Sequence, residues 1–359
     1  MRITNLQAVD FRCFHHFSIR PTAGINLLLG DNGSGKTSAL EAIHLLARGQ
    51  SFRGSRVTQI MRHGSKQFVL RAQSAATLHE RLHRVGMIGE DNKLRYKLDG
   101  DAGTPRHELV KATPLQLIEP NLHRLFEQGP RFRRRFLDWG VFHVEPSFYP
   151  AWRQYRRALR QRNRALRNKA DIATISAWDF DLIRAARIID QSRRKYIDKL
   201  AAALPQTLSR LIGEEAPSMH YVSGWSHRAS FTEALAAAME GDRKAGYTRQ
   251  GPHRADLRIE VAEVEAKAHV SRGQQKLLGI ALLLTQAYIL MDAGGEPPIV
   301  LVDDLQAELG RRFQQAVMQE LAALDCQCFI TAIEPSTAWA LPAIGGMFHV
   351  EHAGIKAVQ

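Results

Sequence analysis

Cysteine, acidic side chains and long apolar runs are all scarce in this chain of 359 residues. Three cysteines, Cys13, Cys326 and Cys328, do not make a disulfide framework, and we expect Cys326 and Cys328 to be buried core thiols. No apolar run reaches the roughly 18 residues of a membrane span. Charged residues interrupt residues 1–20, where a signal peptide would be continuously apolar. We therefore expect a soluble, cytoplasmic protein that has no membrane partner.

The scarcity of acidic residues leaves a strong excess of positive charge. Lysine and arginine number 49 against 36 aspartate and glutamate residues, which gives a net charge of +13. Such an excess indicates a polyanionic partner, either nucleic acid or an anionic lipid surface. Charge alone does not distinguish these two partners, so the motifs of the chain must do so.

Hydrophobic periodicity predicts an α/β protein that is interrupted by a basic helical insert. Strand patterns cover residues 3–11, 17–20, 24–29, 68–73, 93–98, 298–302 and 326–332, and helical spacing covers 37–47 and 277–290. Residues 152–169 contain eight basic and no acidic side chains on an amphipathic helix, and a second helix over 172–204 ends at Pro205. We predict a head with a mixed sheet flanked by helices, formed by residues 1–145 and 240–359, and an inserted helical arm over 146–239.

Residues 30–37 contain a complete phosphate-binding loop between an apolar strand and an amphipathic helix. The segment Gly30-Asp31-Asn32-Gly33-Ser34-Gly35-Lys36-Thr37 fits the pattern GxxxxGK[ST], in which glycines let backbone N–H groups surround a phosphate. Lys36 can reach the β- and γ-phosphates, Thr37 can hold Mg²⁺, and the helix start favours the same anion. We predict ATP and Mg²⁺ as cofactors, a catalytic contribution from Lys36, and nucleotide contacts from the whole loop and from Ser38.

Two acids end an apolar strand near residue 300. In Ile299-Val300-Leu301-Val302-Asp303-Asp304, the first Asp is placed to hold Mg²⁺ and the second to orient or deprotonate the attacking water. We therefore assign Asp303 to the metal and Asp304 to catalysis. Because Asp304 is one methylene shorter than the Glu that many ATPases of this type have here, we hypothesise slow hydrolysis.

A second helix start with phosphate-binding character lies at residues 271–276. Ser271 is the predicted N-cap of the apolar helix, and Ser271, Gly273 and Gln274 can meet a phosphate there. Since the chain already has one complete phosphate loop, we expect this second group to face ATP on a partner chain. The motif therefore predicts an ATP-dependent homodimer, although an ordinary capped helix would have the same residues.

These motifs and four further segments resemble the RecF family of bacterial recombination-repair proteins, in order and over nearly the whole chain. The further segments are Gln50-Ser51-Phe52-Arg53, Gly129-Pro130 with Arg134-Arg135-Phe136-Leu137-Asp138, Ala158-Leu159-Arg160-Gln161-Arg162-Asn163, and Gly251-Pro252-His253-Arg254-Ala255-Asp256. The resemblance implies an ABC-type ATPase head related to those of Rad50 and SMC proteins, with a helical arm in place of a long coiled coil. It also implies weak DNA-stimulated ATPase activity and an ATP-driven dimer that binds single- and double-stranded DNA at gaps. Further implications are the partners RecR and RecO, RecA loading and a role in the SOS response.

Some positions depart from the family pattern. Ala307-Glu308-Leu309-Gly310 stands where the family usually has Ser-Glu-Leu-Asp, so Gly310 lacks a carboxylate that normally helps to couple the two sites of the dimer. Arg272 replaces a Gln, and Ala255 replaces an Asp. The change at Gly310 keeps open a second interpretation, an ATP-binding clamp with negligible hydrolysis.

The basic insert supplies the predicted DNA contacts, which would be made to phosphates without reading the sequence. The candidates are Arg153, Arg156, Arg157, Arg160, Arg164 and Arg167. A segment with Arg131, Arg133, Arg134 and Arg135 is a further candidate, for which partial burial and a structural role are the alternative. Gln116 is a candidate Q-loop residue that would link the γ-phosphate to the arm.

The ATPase subunit of a membrane transporter is the main alternative function. Such a subunit would have a similar phosphate loop and acidic strand, but it usually has a Leu-Ser-Gly-Gly-Gln signature and a His after the next strand. This chain has Val270-Ser271-Arg272-Gly273-Gln274 and Thr331-Ala332-Ile333-Glu334 instead. The basic insert also suits DNA better than the coupling surface of a transporter.

Overall fold

The structure is a computed structural model that describes residues 2–54, 56–76, 82–213, 216–261, 264–266, 270–306, 309–335, 339, 344–351 and 353–358. Ala307 and Glu308, which belong to the segment that departs from the family pattern, lie outside the described residues. The chain forms two compact units. The P-loop unit contains residues 1–122, 210–213 and 290–359, and the helical unit contains residues 123–209 and 214–289. The division into a head and an arm with the limits given above stays a prediction.

Strands and helices alternate along the described chain. The strands are β1 (Arg2–Phe11), β2 (Phe14–Ile19), β3 (Ile25–Leu29), β4 (Gln67–Ala75), β5 (Leu82–Glu90), β6 (Lys93–Leu98), β7 (Leu115–Ile118), β8 (Ser218–Val222), β9 (Asp256–Val261), β10 (Val264–Glu265), β11 (Ile299–Val302), β12 (Cys328–Ala332), β13 (Ile344–Glu351) and β14 (Gly354–Ala357). The helices are α1 (Lys36–Arg48), α2 (Val57–Ile60), α3 (Arg106–Ala112), α4 (Arg124–Glu127), α5 (Pro130–Val144), α6 (Phe148–Arg167), α7 (Ile172–Ser176), α8 (Asp179–Leu211), α9 (Phe231–Ala237), α10 (Met239–Ala245), α11 (Arg272–Asp292) and α12 (Arg311–Ala323).

Two sheets build the P-loop unit. One is antiparallel with the strand order β2-β1-β4-β5-β6, and the other has the order β14-β13-β3-β12-β11-β7. In the second sheet all neighbours are parallel except β14, which runs antiparallel to β13. Its central strands β3, β11 and β12 are buried at every position, which explains why each is a nearly continuous apolar run. α1 is buried from Ser38 to Ala47 and shares one core with side chains of both sheets.

Buried ion pairs join the helices of the helical unit. Arg162 of α6 donates hydrogen bonds of 2.8 Å to Asp179 of α8 and to Asp242 of α10. Arg193 of α8 bonds Asp138 of α5 through two nitrogens, at 2.8 and 3.1 Å. A guanidinium inside a protein requires such carboxylate partners, so these pairs fix the positions of the helices relative to one another. The unit also contains the antiparallel sheet β10-β9-β8.

The prediction that a helix over residues 172–204 ends at Pro205 is wrong. Residues 172–204 form two helices, α7 and α8, and α8 continues through Pro205 to Leu211. Pro205 removes one helical hydrogen bond. Leu204, Leu208 and Leu211 are nevertheless all buried, and the packing of these side chains outweighs that loss.

Other predicted elements lie close to their observed positions, but seven of the described strands have no predicted counterpart: β5, β7, β8, β9, β10, β13 and β14. β5 is absent from the predicted strands, because Gly86 and Gly89 weaken its alternating pattern. Cys326 and Cys328 are buried, as predicted, while Cys13 is exposed. None of the helices in the described part of the chain has both the length and the apolar character that a membrane crossing needs.

Candidate nucleotide site

Three neighbouring parallel strands of the P-loop unit end at the same edge of their sheet. β12 lies between β3 and β11. Gly30 follows β3, Asp303 follows β11 and Ile333 follows β12. Ligands of α/β sheets bind beyond the carboxyl ends of the strands. A cavity of about 300 Å³ lies at this edge and is lined by Asn32, Gly33, Gly35, Lys36, Thr37, Ser38, Arg53, Asp303, Asp304, Thr331, Ala332 and Ile333.

The loop after β3 follows a backbone path that requires glycine at two positions. Gly30 has a φ of +149°, and a Cβ atom there would lie 2.3 Å from the carbonyl oxygen of Val350. Gly35 has a φ of +116°, and its Cβ would lie 2.7 Å from Sγ of Cys13. Any larger residue would therefore displace the loop or its neighbours. The fold needs these glycines for its own packing, and they also leave the backbone open toward a ligand.

The ammonium group of Lys36 lies inside the loop. Nζ donates hydrogen bonds of 2.6 Å to the carbonyl of Gly30 and 2.8 Å to that of Asp31. Burial lowers the pKa of Lys36, against the opposing effect of Asp304 and Asp303. A partly desolvated cation interacts more strongly with a phosphate than one in bulk water does.

α1 begins at Lys36 without a side chain to cap it. Gly35 occupies the N-cap position, and the first turn contains no acidic residue. The buried hydroxyl of Ser34 has no hydrogen-bond partner among the described residues. An uncapped helix start offers backbone N–H groups to an anion. The loop therefore fits a bound phosphate chain.

One carboxylate oxygen of Asp303 accepts hydrogen bonds from two hydroxyl groups. Oγ1 of Thr37 lies 2.9 Å and Oγ1 of Thr331 lies 3.0 Å from Oδ1 of Asp303. Burial raises the pKa of Asp303, and the two hydroxyl bonds oppose this effect. Hydroxyl and carboxylate oxygens are ligands that Mg²⁺ accepts, so Thr37 and Asp303 fit the predicted metal contacts. Within the described residues no group of three His, Cys, Asp or Glu side chains could hold a metal, so phosphate and water oxygens would complete its shell.

Asp304 lines the cavity and is exposed. It has a φ of +51°, a conformation that Asp adopts more readily than most residues. Its backbone N–H donates a 2.8 Å hydrogen bond to Oγ1 of Thr331. Asp303 and Asp304 therefore both contribute to the cavity, and the exposed Asp304 carboxylate is available to a water molecule.

Arg53 and Thr331 line the cavity, although the sequence motifs assign neither of them to it. Nη1 of Arg53 lies 3.8 Å from Oε2 of Glu41, a buried residue of α1. Glu41 also accepts hydrogen bonds from Arg12 at 2.7 and 2.6 Å and a further one from Ser51. The family resemblance of residues 50–53 is a signal that marks Arg53, whereas a Thr within a buried strand has none.

Gln116 lies in the middle of β7, where its Cα partner is Val300 of β11. Its side chain is buried, and the described lining of the cavity does not include it. The Q-loop role of Gln116 stays a prediction.

The Ser271 segment begins α11 in the helical unit. Ser271 caps this helix, since its hydroxyl lies 3.4 Å from the backbone N–H of Gln274 and 2.9 Å from the Gln274 side-chain oxygen. Ser271 is exposed, and Gly273 and Gln274 are half-buried. The predicted N-cap is confirmed, while the contact of these three residues with a partner's ATP stays a prediction.

The basic residues of the helical unit divide into an exposed and an internal set. The predicted DNA contacts on α6 are all exposed: Arg153, Arg156, Arg157, Arg160, Arg164 and Arg167. Arg162 is fully buried in the ion pairs described above. Arg133 pairs with Asp256 through two nitrogens, and Arg134 donates to the carbonyl of Ala255. For Arg133 and Arg134 these contacts support the structural alternative.

Sequence comparisons place the chain among proteins of DNA metabolism. It matches the family described as RecF/RecN/SMC N terminal domain over residues 2–356. It is 39% identical to the DNA replication and repair protein RecF of Pseudomonas aeruginosa (strain UCBPP-PA14) over 366 residues, covering 99% of this chain and 98% of that protein. The DNA replication and repair protein RecF of Chromohalobacter salexigens is 38% identical over 356 residues, covering 98% of each chain.

Solved structures show the same architecture. A structure described as the recombination mediator protein RecF-ATPrS in RecFOR pathway has a TM-score of 0.87 at 22% identity, covering 99% of this chain and 98% of that chain. The Smc head domain of Pyrococcus furiosus has a TM-score of 0.61 at 13% identity, covering 99% and 96%. The predicted fold class, an ABC-type ATPase head with mixed sheets and flanking helices, is confirmed. The chain is 39% identical to a RecF protein over almost its entire length, and it therefore belongs to the RecF family.

Proposed function

We propose that this protein is a cytoplasmic, ATP-dependent DNA-binding protein of DNA replication and recombinational repair, with weak ATPase activity that DNA stimulates. One observation carries the proposal. The phosphate loop and the acidic strand end meet through the 2.9 Å bond from Thr37 to Asp303, in a chain 39% identical to DNA replication and repair proteins.

In this proposal the nucleotide cavity binds ATP together with Mg²⁺. The loop residues Gly30, Asp31, Asn32, Gly33, Ser34, Gly35, Lys36, Thr37 and Ser38 would surround the phosphates, and Thr37 with Asp303 would hold the cation. When bound, Mg²⁺ neutralises negative charge on the phosphates. Lys36 stabilises the charge on the γ-phosphate, and Asp304 orients a water molecule for attack.

ATP binding would also bring two copies of the chain together. Ser271, Gly273 and Gln274 would contact the γ-phosphate of the ATP bound to the partner. The exposed cap of α11 supports this role, because a helix start that is open to solvent can receive an anion. Hydrolysis would remove the shared γ-phosphate and release the dimer.

The exposed arginines of α6 would bind the DNA backbone. Arg153, Arg157, Arg160, Arg164 and Arg167 follow one another at intervals of four, three, four and three residues, so they form one stripe along the helix. No acidic residue lies within α6 to offset the stripe. Such a row binds phosphates of single- or double-stranded DNA without reading bases.

Partners and pathway follow from the relatives in this proposal. The solved relative is described as a mediator in the RecFOR pathway, which supports RecR and RecO as partners. Loading of RecA at gaps and a role in the SOS response follow from the family resemblance alone. The second candidate function is an ATP-binding clamp with negligible hydrolysis. It is favoured by Asp304, which is shorter than Glu, and by Gly310, which has no side chain to couple the two sites.

The testing experiment is a fluorescence anisotropy titration of labelled duplex and gapped DNA at several salt concentrations. It is run with ATP and Mg²⁺, with ADP, and without nucleotide. We expect binding that tightens with ATP and whose logarithm falls linearly with the logarithm of salt concentration, with a slope of about 0.9 per duplex phosphate contacted. Lys36→Met should abolish the effect of ATP. Absence of DNA binding under every condition would refute DNA binding by the isolated protein, and parallel measurement of phosphate release separates the ATPase from the clamp.

A further inference from the structure

We propose that the helical unit contains a second anion site, which binds the phosphate group of a nucleotide, either free or within a nucleic-acid strand. A cavity of about 190 Å³ in this unit is lined by Arg131, Arg134 and Arg135 of α5, Arg156 of α6, and the pair Arg193 and Asp138, among others. We call it the arginine pocket. It takes no part in the nucleotide chemistry assigned to the P-loop unit.

The arginine pocket has more positive charge than its carboxylate can balance. Asp138 is already bonded by Arg193 at 2.8 and 3.1 Å, and Arg193 also donates to the carbonyl of Pro252 at 2.8 Å. Arg131, Arg134, Arg135 and Arg156 form no ion pair with any carboxylate in the described part of the chain. Four guanidinium groups therefore line one cavity whose carboxylate, Asp138, is already bonded by Arg193, and Asp138 and Asp256 only partly offset the surroundings that disfavour the charge of Arg134.

Two of these guanidinium groups are destabilised by their surroundings. Burial lowers the pKa of Arg134, and the neighbouring Arg193 lowers it further. Burial likewise lowers the pKa of Arg135, and Arg131 adds to this effect. Cations that are partly desolvated and repel one another are stabilised when an anion binds between them.

Two further residues that line the arginine pocket, His253 and Tyr155, are neutral. Nε2 of His253 lies 3.0 Å from the carbonyl of Thr248, so this nitrogen carries the proton and Nδ1 accepts the Tyr155 hydroxyl hydrogen at 2.6 Å. Burial lowers the pKa of His253 to about 4. The positive charge of the pocket at neutral pH therefore comes from arginine alone.

Phosphate fits this arrangement better than an acidic peptide does. The planar fork of a guanidinium matches the oxygens of a phosphate and can bond two of them at once. Several guanidiniums around one compact cavity concentrate positive charge at a single point, where a phosphate dianion also concentrates its charge. Carboxylates of an acidic peptide are spread along a chain and call for an extended groove.

The test uses the full chain with Lys36→Met, which removes nucleotide binding by the P-loop unit. The probe is the mononucleotide dCMP, and the readout is tryptophan fluorescence, with Trp152→Phe to show that the signal arises in the pocket that Trp152 lines. We expect the triple variant Arg131→Gln, Arg135→Gln, Arg156→Gln to weaken dCMP binding about tenfold or more. The matched triple variant Arg187→Gln, Arg228→Gln, Arg243→Gln removes the same charge from exposed positions of the helical unit outside the pocket and should change binding by less than about twofold.

Equal losses in the two triple variants, or no dCMP signal that depends on Trp152, would overturn the proposal. So would binding of a poly-glutamate peptide in place of dCMP. Competition by a terminally phosphorylated oligonucleotide, compared with its unphosphorylated form, distinguishes a strand from a free nucleotide as the source of the phosphate. Only the strand source rests on the proposed DNA-binding function. Binding of dCMP to this variant, together with absence of DNA binding by the unsubstituted chain under every nucleotide condition, would refute that function and support the arginine pocket.

Discussion

The hydroxyl oxygen of Thr331 accepts a 2.8 Å hydrogen bond from the backbone N–H of Asp304, at the point where Asp304 takes a φ of +51°. The same hydroxyl lies 3.0 Å from Oδ1 of Asp303. One buried side chain of β12 thus orients both acids that follow β11. Loss of this hydroxyl would remove one contact from each acid, while Asp303 would keep its hydrogen bond from Thr37.

Thr331→Val should slow ATP hydrolysis. Valine keeps the shape of threonine and removes both hydrogen bonds, so we expect phosphate release about tenfold slower, with ATP affinity changed by less than about twofold. Thr331→Ser, which retains the hydroxyl, should restore at least half of the rate. Steady-state phosphate release and binding of a fluorescent ATP analogue measure the two quantities. An equal loss in the Ser variant would show that the methyl group, rather than the hydroxyl, is required.

Substitution of Asp304 separates binding from hydrolysis. Asp304→Asn should retain ATP and trap the bound nucleotide, because the amide cannot accept a proton from water. Asp304→Glu should raise the hydrolysis rate if the short side chain limits it. Single-turnover measurements with radiolabelled ATP give both results. Unchanged turnover in Asp304→Asn would refute the role of Asp304.

Ser271→Arg should prevent ATP-dependent dimerisation. The larger, positively charged side chain at the start of α11 would occupy the space for the partner's γ-phosphate, while Lys36 would still bind ATP within the chain. Light scattering with and without ATP measures the mass, and nucleotide binding serves as the control. A variant that still forms dimers with ATP would show that the Ser271 segment has no part in the interface.

Arg162→Met should strongly destabilise the helical unit. Asp242 is fully buried, so removal of Arg162 leaves its carboxylate with only the half-exposed Arg249 at 3.5 Å, at a cost of about 3 kcal/mol in the free energy of unfolding. Arg160→Met, at an exposed position of the same helix, should cost less than about 0.5 kcal/mol. Urea unfolding followed by circular dichroism measures both. Similar values would contradict the role of the buried ion pairs.

Stability should fall as the pH falls below neutral, in part because of His44. This residue is buried in α1, where Nδ1 lies 2.9 Å from the carbonyl of Gln50, and burial lowers its pKa from 6.5 to about 3. The unfolded chain therefore binds the proton more readily between these two values, and stability is lost as the pH falls through that range. His44 should account for about 2 kcal/mol between pH 7 and pH 5. Urea unfolding of His44→Gln at both pH values should show a smaller difference, and an unchanged difference would exclude His44 as its source.

The parts of the fold that could be predicted are those with a local sequence pattern. The phosphate loop, the apolar strand before Asp303 and the cap at Ser271 depend on neighbouring residues, and each is where the motifs predicted it. Thr331 could not be assigned, because its role arises only when β12 lies beside β11. The sequence also could not distinguish the buried Arg162 from the exposed arginines around it, because its burial depends on contacts with residues distant in the chain. Its carboxylate partners lie 17 and 80 residues away in the chain.

The position of β3 in its sheet governs when the protein can first bind nucleotide. Ile25 of β3 pairs with Cys328 on one side and with Ile344 on the other. A ribosome therefore releases the phosphate loop long before it makes the strands that support that loop. A nascent or truncated chain would expose β3 as an unpaired apolar strand, which attracts chaperones and proteases. Competence to bind ATP thus arises only after the strands around residues 328–349 have been made, so the nucleotide distinguishes chains that have these strands from shorter ones.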